Sequence, residues 1–209
     1  MKTVYMYVQD TMADWEHGYL MQALSLQAML KKSKVSFKTV GRTKAPIRTA
    51  SGITLVPDLS LDELDVTTVA ALVLIGGDTW LAKEQADVLT LASELLQQDV
   101  LVAAICGATL GLANLGLLDE RPHTSNASFF LSRMSQRYQG QDYYQETVAV
   151  RDGQLITASS AGSLLWAKYI IEALELYSEE TVEAWFKYFS TGDVAYYGEL
   201  MASLSQESR

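Results

Sequence analysis

Short apolar runs alternate with longer amphipathic ones along nearly the whole chain. Residues 3–8 form an apolar run of strand length. Residues 35–40 form another, with Val35 and Phe37 on one face before Val40. Between them, Leu20, Ala23, Leu24, Ala28 and Met29 recur at helical spacing, which predicts a helix over 15–32. Two β-rich stretches within 47–56 flank Ser51-Gly52 and predict a hairpin. Residues 70–75 form a third strand that ends in Gly76-Gly77-Asp78. A helix follows over 80–98, with Leu81, Val88, Leu89, Leu91, Leu95 and Leu96 inward. The most apolar run, 100–105, predicts a central strand, and 108–118 the next helix. A second hairpin spans 148–158, turned by Asp152-Gly153, a type I′ signal. An apolar helix is predicted over 163–176. Ser178 then caps a further helix with Glu179 and Glu180 in its first turn, and a last helical piece covers 194–204.

Strand–helix alternation of this kind implies an α/β fold: a mostly parallel sheet sandwiched by helices. No linker, repeat or low-complexity segment interrupts it. The pattern reads as one domain over 1–177, with a helical extension over 178–209 packed on that domain. Trp185, Phe186, Tyr188, Phe189, Tyr196 and Tyr197 make the extension sticky. Burial against its own chain is the favoured reading, a dimer contact the alternative.

Composition then narrows the chemistry. The 209 residues carry 16 Lys and Arg against 25 Asp and Glu, a net charge of −9. Phosphate binding needs clustered cations, and the densest cluster, Lys31-Lys32-Ser33-Lys34, sits where a helix is expected to end. Nucleic-acid binding is therefore not expected. No run approaches the ~20 apolar residues of a membrane span, and the first apolar run is too short for a signal peptide. A cytoplasmic protein is expected. The chain has one Cys and two His. It cannot form an internal disulfide, and it cannot supply the ligands of a structural zinc site.

In open parallel sheets, functional groups gather beyond the C-terminal ends of the strands. Three such ends carry candidates. At Ile105-Cys106-Gly107-Ala108 an apolar strand runs directly into a helix, the setting of a nucleophile elbow, with Gly107, Ala108 and Gly111 as the small neighbours. A helix N-terminus there favours thiolate, so a Cys106 pKa below the ~8.5 of free cysteine is expected. The plain alternative is a buried small apolar residue. Gly76-Gly77 lets backbone N–H groups approach a ligand or an oxyanion, or is a simple tight turn. The loop after the first strand holds Asp10, Asp14 and Glu16. Solvation is the default for such carboxylates, but Glu16, beside Trp15 at a helix start, would have a raised pKa if desolvated and could then hydrogen-bond a thiolate. No dinucleotide or P-loop pattern is present, so no cofactor or metal is expected.

Together these elements resemble the DJ/PfpI superfamily, on a class I glutamine amidotransferase-like, flavodoxin-like fold. The resemblance runs from Val4 to about Leu176. It rests on Asp14-Trp15-Glu16, on residues 71–77 ending in Gly76-Gly77, and on residues 102–108 around Cys106. It continues through Gly116-Leu117-Leu118-Asp119, Thr124-Ser125 and residues 153–158, followed by Gly162. It implies Cys106 as the reactive centre, Glu16 as its hydrogen-bonding partner, and Gly76, Gly77 and Gly107 as the oxyanion region. It also implies a homodimer acting on a small-molecule or peptide substrate.

The departures bear on mechanism. Proteases of the superfamily carry a His directly after the cysteine; here Gly107 follows. Many members carry a His after the Thr-Thr or Thr-Ser pair; here Asn126 does, which orients a ligand or water but takes no proton. His17 reads as exposed and solvated. His123 is three residues before Asn126, on the opposite face of a strand, and reaches Cys106 only if that segment is irregular. Two functions stay open: a Cys-dependent amidase, peptidase or deglycase-like hydrolase with Glu16 handling protons, or a non-catalytic redox protein in which Cys106 is oxidised.

Overall fold

A computed structural model describes residues 1–208. Five strands form its parallel centre: β1 (Thr3–Tyr7), β2 (Ser36–Gly41), β6 (Val69–Leu74), β7 (Leu101–Ile105) and β9 (Leu155–Ala158). The short β3 (Ile47–Arg48) and β4 (Thr54–Leu55) pair with each other as the first predicted hairpin. β5 (Leu59–Ser60) and β8 (Ala149–Asp152) edge the main sheet, whose order is β5-β2-β1-β6-β7-β9-β8. Every pairing in that sheet is parallel except β8 with β9. The chain winds from β1 to β2 on one side, then continues through β6 on the other. The strand order thus reverses beside β1, the topological switch point at which open α/β sheets place their sites.

The apolar runs are continuous because both faces are covered. Val4 and Met6, Ala71 and Val73, and Ala103 and Ile105 point into one core. Tyr5 and Tyr7, Leu72 and Leu74, and Val102 and Ala104 point into the other, as the period of two requires. The first core is closed by α1 (Gly18–Ser25), with Leu20, Ala23 and Leu24 buried. The second is closed by α2 (Ala86–Gln97), α3 (Ala108–Asn114) and α4 (Ser128–Met134). The remaining helices, α5 (Ser163–Ala173), α6 (Glu179–Thr191) and α7 (Val194–Glu207), return to the first core.

Several boundaries differ from the hydropathy pattern. The first helix begins at Gly18 rather than residue 15, because the preceding loop is drawn onto the sheet edge through Ala13 N–H to Gly76 O at 2.8 Å. It then finishes as a 3₁₀ turn, Leu26–Met29. The helix expected from residue 80 becomes α2 only at Ala86. Trp80 is fully buried and donates its indole N–H to Ile75 O at 2.9 Å, which holds the chain in a turn. Leu81 is consequently exposed rather than inward. The second hairpin turns on Gly153 and Gln154 with only Gly153 at positive φ, +58°. Gly at the first central position replaces the expected type I′ pair of left-handed residues.

The C-terminal aromatics pack mostly on their own chain. Trp185 is buried, donates to Gln22 Oε1 at 2.6 Å, and contacts Phe189. Ser178 caps α6 as expected, its hydroxyl accepting from Thr181 N–H at 3.2 Å. Glu207 of α7 receives Ser178 N–H and both hydroxyls of that first turn. The two last helices therefore belong to the main core, and Trp185→Ala should cost about 3–5 kcal/mol of global stability. Urea denaturation followed by two probes checks this: a single transition at a lower midpoint is expected, and an unchanged midpoint would contradict it.

Candidate active site

β7 delivers Cys106 directly into the turn that starts α3. Its N–H remains tied to Ala158 O at 2.9 Å, so it still follows the β9 edge. Its φ is +56°, in the left-handed region that costs a side chain of this kind of order 1–3 kcal/mol. Gly107 must be small, because a β-carbon there would lie 2.5 Å from Gly77 O. The two glycine turns at the ends of β6 and β7 are thereby pressed together.

Glu16 is fully buried. Gly76 N–H donates to its Oε2 at 2.8 Å, while its Oε1 is buried with no formed hydrogen bond. The missing side chain of Gly76 makes the contact with Cys106 possible. A β-carbon on Gly76 would sit 2.6 and 2.9 Å from the two Glu16 oxygens and 2.8 Å from Cys106 Cβ. Carboxyl and thiol are packed around the same point and perturb one another. Burial raises the Glu16 pKa, against the lowering effects of the thiol and Gly76 N–H. Burial, then the Glu16 charge, pushes the half-buried Cys106 thiol up to about 11, although Asn126 and Gly107 N–H act to lower it.

This corrects the expectation of a thiol below ~8.5. α3 has only seven residues, and the favourable field at its start is outweighed by desolvation and by a carboxylate at the sulfur. Removing both protons from the pair would leave two negative charges in one small volume, so the two groups titrate as a unit.

The remaining candidates divide. Asn126 lies at the sulfur, its Nδ2 donating to Cys106 Sγ at 3.2 Å and its Oδ1 accepting Ser160 N–H at 2.9 Å. The second bond fixes which end of the amide faces the cysteine. Gly76 N–H is occupied by Glu16 and is not open to an oxyanion. Gly77 and Gly107 remain as the glycine donors around the turn. His123 is fully buried and away from this chemistry. Its Nδ1 meets Arg121 O at 2.8 Å and its Nε2 meets Tyr138 Oη at 2.7 Å. A carbonyl can only accept, so Nδ1 carries the proton and Tyr138 donates to Nε2. Both ring nitrogens are used, and burial lowers the pKa.

His17 is half-buried rather than solvated, with a lowered pKa caused first by burial. Asp10 and Asp14 are not merely solvated. Asp10 accepts Arg48 N–H at 2.7 Å and Asp14 accepts Ser51 N–H at 2.9 Å, pinning the β3–β4 hairpin beneath the Glu16 loop.

Two residues beside the cysteine carry no sequence-based expectation as individual groups. Thr109 Oγ1 donates to Cys106 O at 2.6 Å and lies 2.7 Å from Ser125 Oγ. The available signal was the hydroxyl three residues after Cys106, since such a side chain reaches back to the i−3 carbonyl. Among the described residues, no group of three or more His, Cys, Asp or Glu could hold a metal ion. Nor is any helix among them long and apolar enough to cross a membrane.

Known proteins share both sequence and architecture with this chain. The Bacillus subtilis (strain 168) protein named "Uncharacterized protease YoaZ" is 37% identical over 207 residues, covering 98% of this chain and 99% of that protein. The crystal structure of a thiJ/pfpI family protein from Bacillus anthracis superposes with a TM-score of 0.92 at 35% identity, covering 98% of this chain and 99% of that one. A DJ-1 superfamily protein from Agrobacterium tumefaciens gives a TM-score of 0.80 at 29% identity, covering 92% and 99%. The DJ-1/PfpI family matches residues 2–173, the whole sheet and the Glu16–Cys106 region with it, and the chain belongs to that family.

Proposed function

We propose that the protein is a Cys-dependent hydrolase of the amidase, peptidase or deglycase type, with Cys106 as nucleophile and Glu16 as its proton acceptor. The observation that carries this reading is the Glu16 carboxyl itself: buried, held through one oxygen by Gly76 N–H, and set against the thiol with the other oxygen unbonded. Burying a carboxyl without a cation is costly. A raised pKa brings that carboxyl closer to the range in which a general base is effective near neutral pH. In the reaction, Cys106 Sγ bonds to a substrate carbonyl carbon while its proton passes to Glu16. The carbonyl electrons move to oxygen, which the N–H groups of Gly77 and Gly107 would meet. Collapse expels the leaving group, protonated from Glu16, and water cleaves the resulting thioester.

The protease name of the B. subtilis relative fits this class. We place the activity in the cytoplasm, since a lone cysteine marks no oxidising compartment. The substrate is a small molecule or peptide, and the working unit a homodimer, as the superfamily resemblance implies. A redox role for Cys106 is the second reading, favoured by the lack of an imidazole base at the sulfur. Peroxide oxidation needs thiolate, however, and the Cys106 environment disfavours that form.

Cys106→Ser should abolish turnover of ester, amide or glycated-amine substrates, since a serine hydroxyl is a far weaker acid than a thiol and a carboxylate base alone does not activate it. Surviving activity would move the chemistry elsewhere. Turnover should rise with pH as Glu16 loses its proton, because the carboxylate is the working base. Glu16→Gln should separate two readouts. Removing the negative charge lowers the thiol pKa, so alkylation by iodoacetamide at pH 8 accelerates, while turnover falls by about 10²-fold or more with the base gone. Both rates falling together would refute the assignment.

A further inference from the structure

Asn126 reaches the sulfur from a segment that is 20 residues away in sequence. Most bonds of that segment lead elsewhere. Thr124 N–H donates to Thr157 Oγ1 at 2.9 Å, Thr124 Oγ1 to Thr147 O at 2.7 Å, and Tyr144 Oη to Ser125 O at 3.1 Å. These fix it to β9 and to the stretch before β8. Among the hydrogen bonds of the described residues, two contacts join it to the Cys106 turn: Asn126 with Sγ, and Ser125 with Thr109.

The Ser125–Thr109 pair is buried on both sides, at 2% and 0% exposure. Its proton order follows from the partners. The single Thr109 proton goes to Cys106 O, which can only accept, so Ser125 donates to Thr109. A threonine bonding back to the i−3 carbonyl is ordinary by itself. Here the same oxygen also receives a buried hydroxyl 16 residues on, and the carbonyl it holds belongs to the residue at φ +56°. The result is a directed chain, Ser125 to Thr109 to Cys106 O, running beside the Asn126–Sγ contact.

We propose that Thr109 and Ser125 are positioning residues whose paired hydroxyls hold the strained Cys106 turn in register with the segment that places the Asn126 amide on the sulfur. Neither touches the reacting atoms. Their effect passes through Asn126, a donor that favours thiolate over thiol. The inference rests on the reading of Cys106 as the reactive centre, so its test uses no substrate. A wild-type protein that alkylates normally but turns nothing over would refute the hydrolase reading and leave the positioning result standing.

The experiment is the rate of iodoacetamide alkylation of the full-length protein at pH 8, with thermal unfolding measured in parallel. Thr109→Val should slow alkylation about tenfold, the effect of one pKa unit on the thiolate fraction well below the midpoint. Thr109→Ser keeps the hydroxyl and should alkylate like wild type. Asn126→Leu should be slow, and combining it with Thr109→Val should add no further slowing, because both remove one interaction. A purely structural role predicts the reverse: a loosened turn exposes the sulfur and speeds alkylation. Wild-type or faster alkylation in Thr109→Val, or losses that multiply in the double variant, would overturn the proposal. If Thr109→Val fails to fold, Ser125→Ala carries the same expectation and the same refuting outcome.

Discussion

The structure is organised around one costly contact, a buried carboxyl packed against a thiol with no ion pair to balance it among the described residues. Among the described residues, Glu16 has a single formed hydrogen bond, from Gly76 N–H. Burying it is costly, and the surrounding chain holds it in place. The loop that carries it is tied to the sheet edge by Ala13 N–H and to the β3–β4 hairpin by Asp10 and Asp14. Thr11, at φ +66°, absorbs the sharp exit from β1, and its hydroxyl oxygen accepts Asp78 N–H at 2.9 Å. On the other side, Cys106 accepts a left-handed backbone so that its sulfur stands above the strand end. Strain of this kind persists where neighbours over-determine the geometry, and the glycine turns at 76–77 and 107 supply the required close approach.

At the sulfur stands an asparagine, not an imidazole. A Cys–His pair stores its reactivity as an ion pair, with thiolate and imidazolium stabilising each other. Here the imidazole of His123 is instead locked into Tyr138 and Arg121 in the interior. Asn126 offers a donor without a titratable proton. It can stabilise developing negative charge on sulfur but cannot remove the thiol proton. In the proposed reaction proton transfer falls to Glu16, whose pKa burial raises.

The fold was largely legible in the chain because its cause is local and periodic. The runs at 4–8, 70–75 and 100–105 are apolar at every position, which only a sheet buried on both faces accommodates. The order of glycine-ended strands placed Cys106, Gly76 and Gly77 at one edge. What periodicity could not supply was the end of each helix nearest the site. At Trp15–His17 and at Trp80 the tertiary demand on a single side chain, Glu16 inward and the Trp80 indole onto Ile75 O, overrode helical spacing. The pairing of Glu16 with Cys106 came through resemblance. Its physical basis, the absence of a side chain at Gly76, lies 60 residues from one partner and 30 from the other. The direction of the thiol shift is not legible in sequence for a related reason. A helix N-terminus is visible in sequence, whereas the burial that opposes it depends on what the fold packs above the turn.

The C-terminal helices acquire a role from the same geometry. Asn126 is oriented by Ser160 N–H, and Ser160–Gly162 form the 3₁₀ turn that leads directly into α5. Gly162 is closed against Val148 O, leaving that turn no room for a β-carbon. α5 lies between α1, which begins two residues after Glu16, and α6, which buries Trp185 onto Gln22 of α1. A single packed layer therefore fixes the start of α1 and the start of α5 relative to each other, and with them the carboxyl and the amide that flank the sulfur. Because cores transmit small displacements rather than absorbing them, loosening α6 should reach the cysteine through both flanks. The extension beyond residue 177 is thus part of the frame that keeps an acid, a thiol and an amide within contact distance.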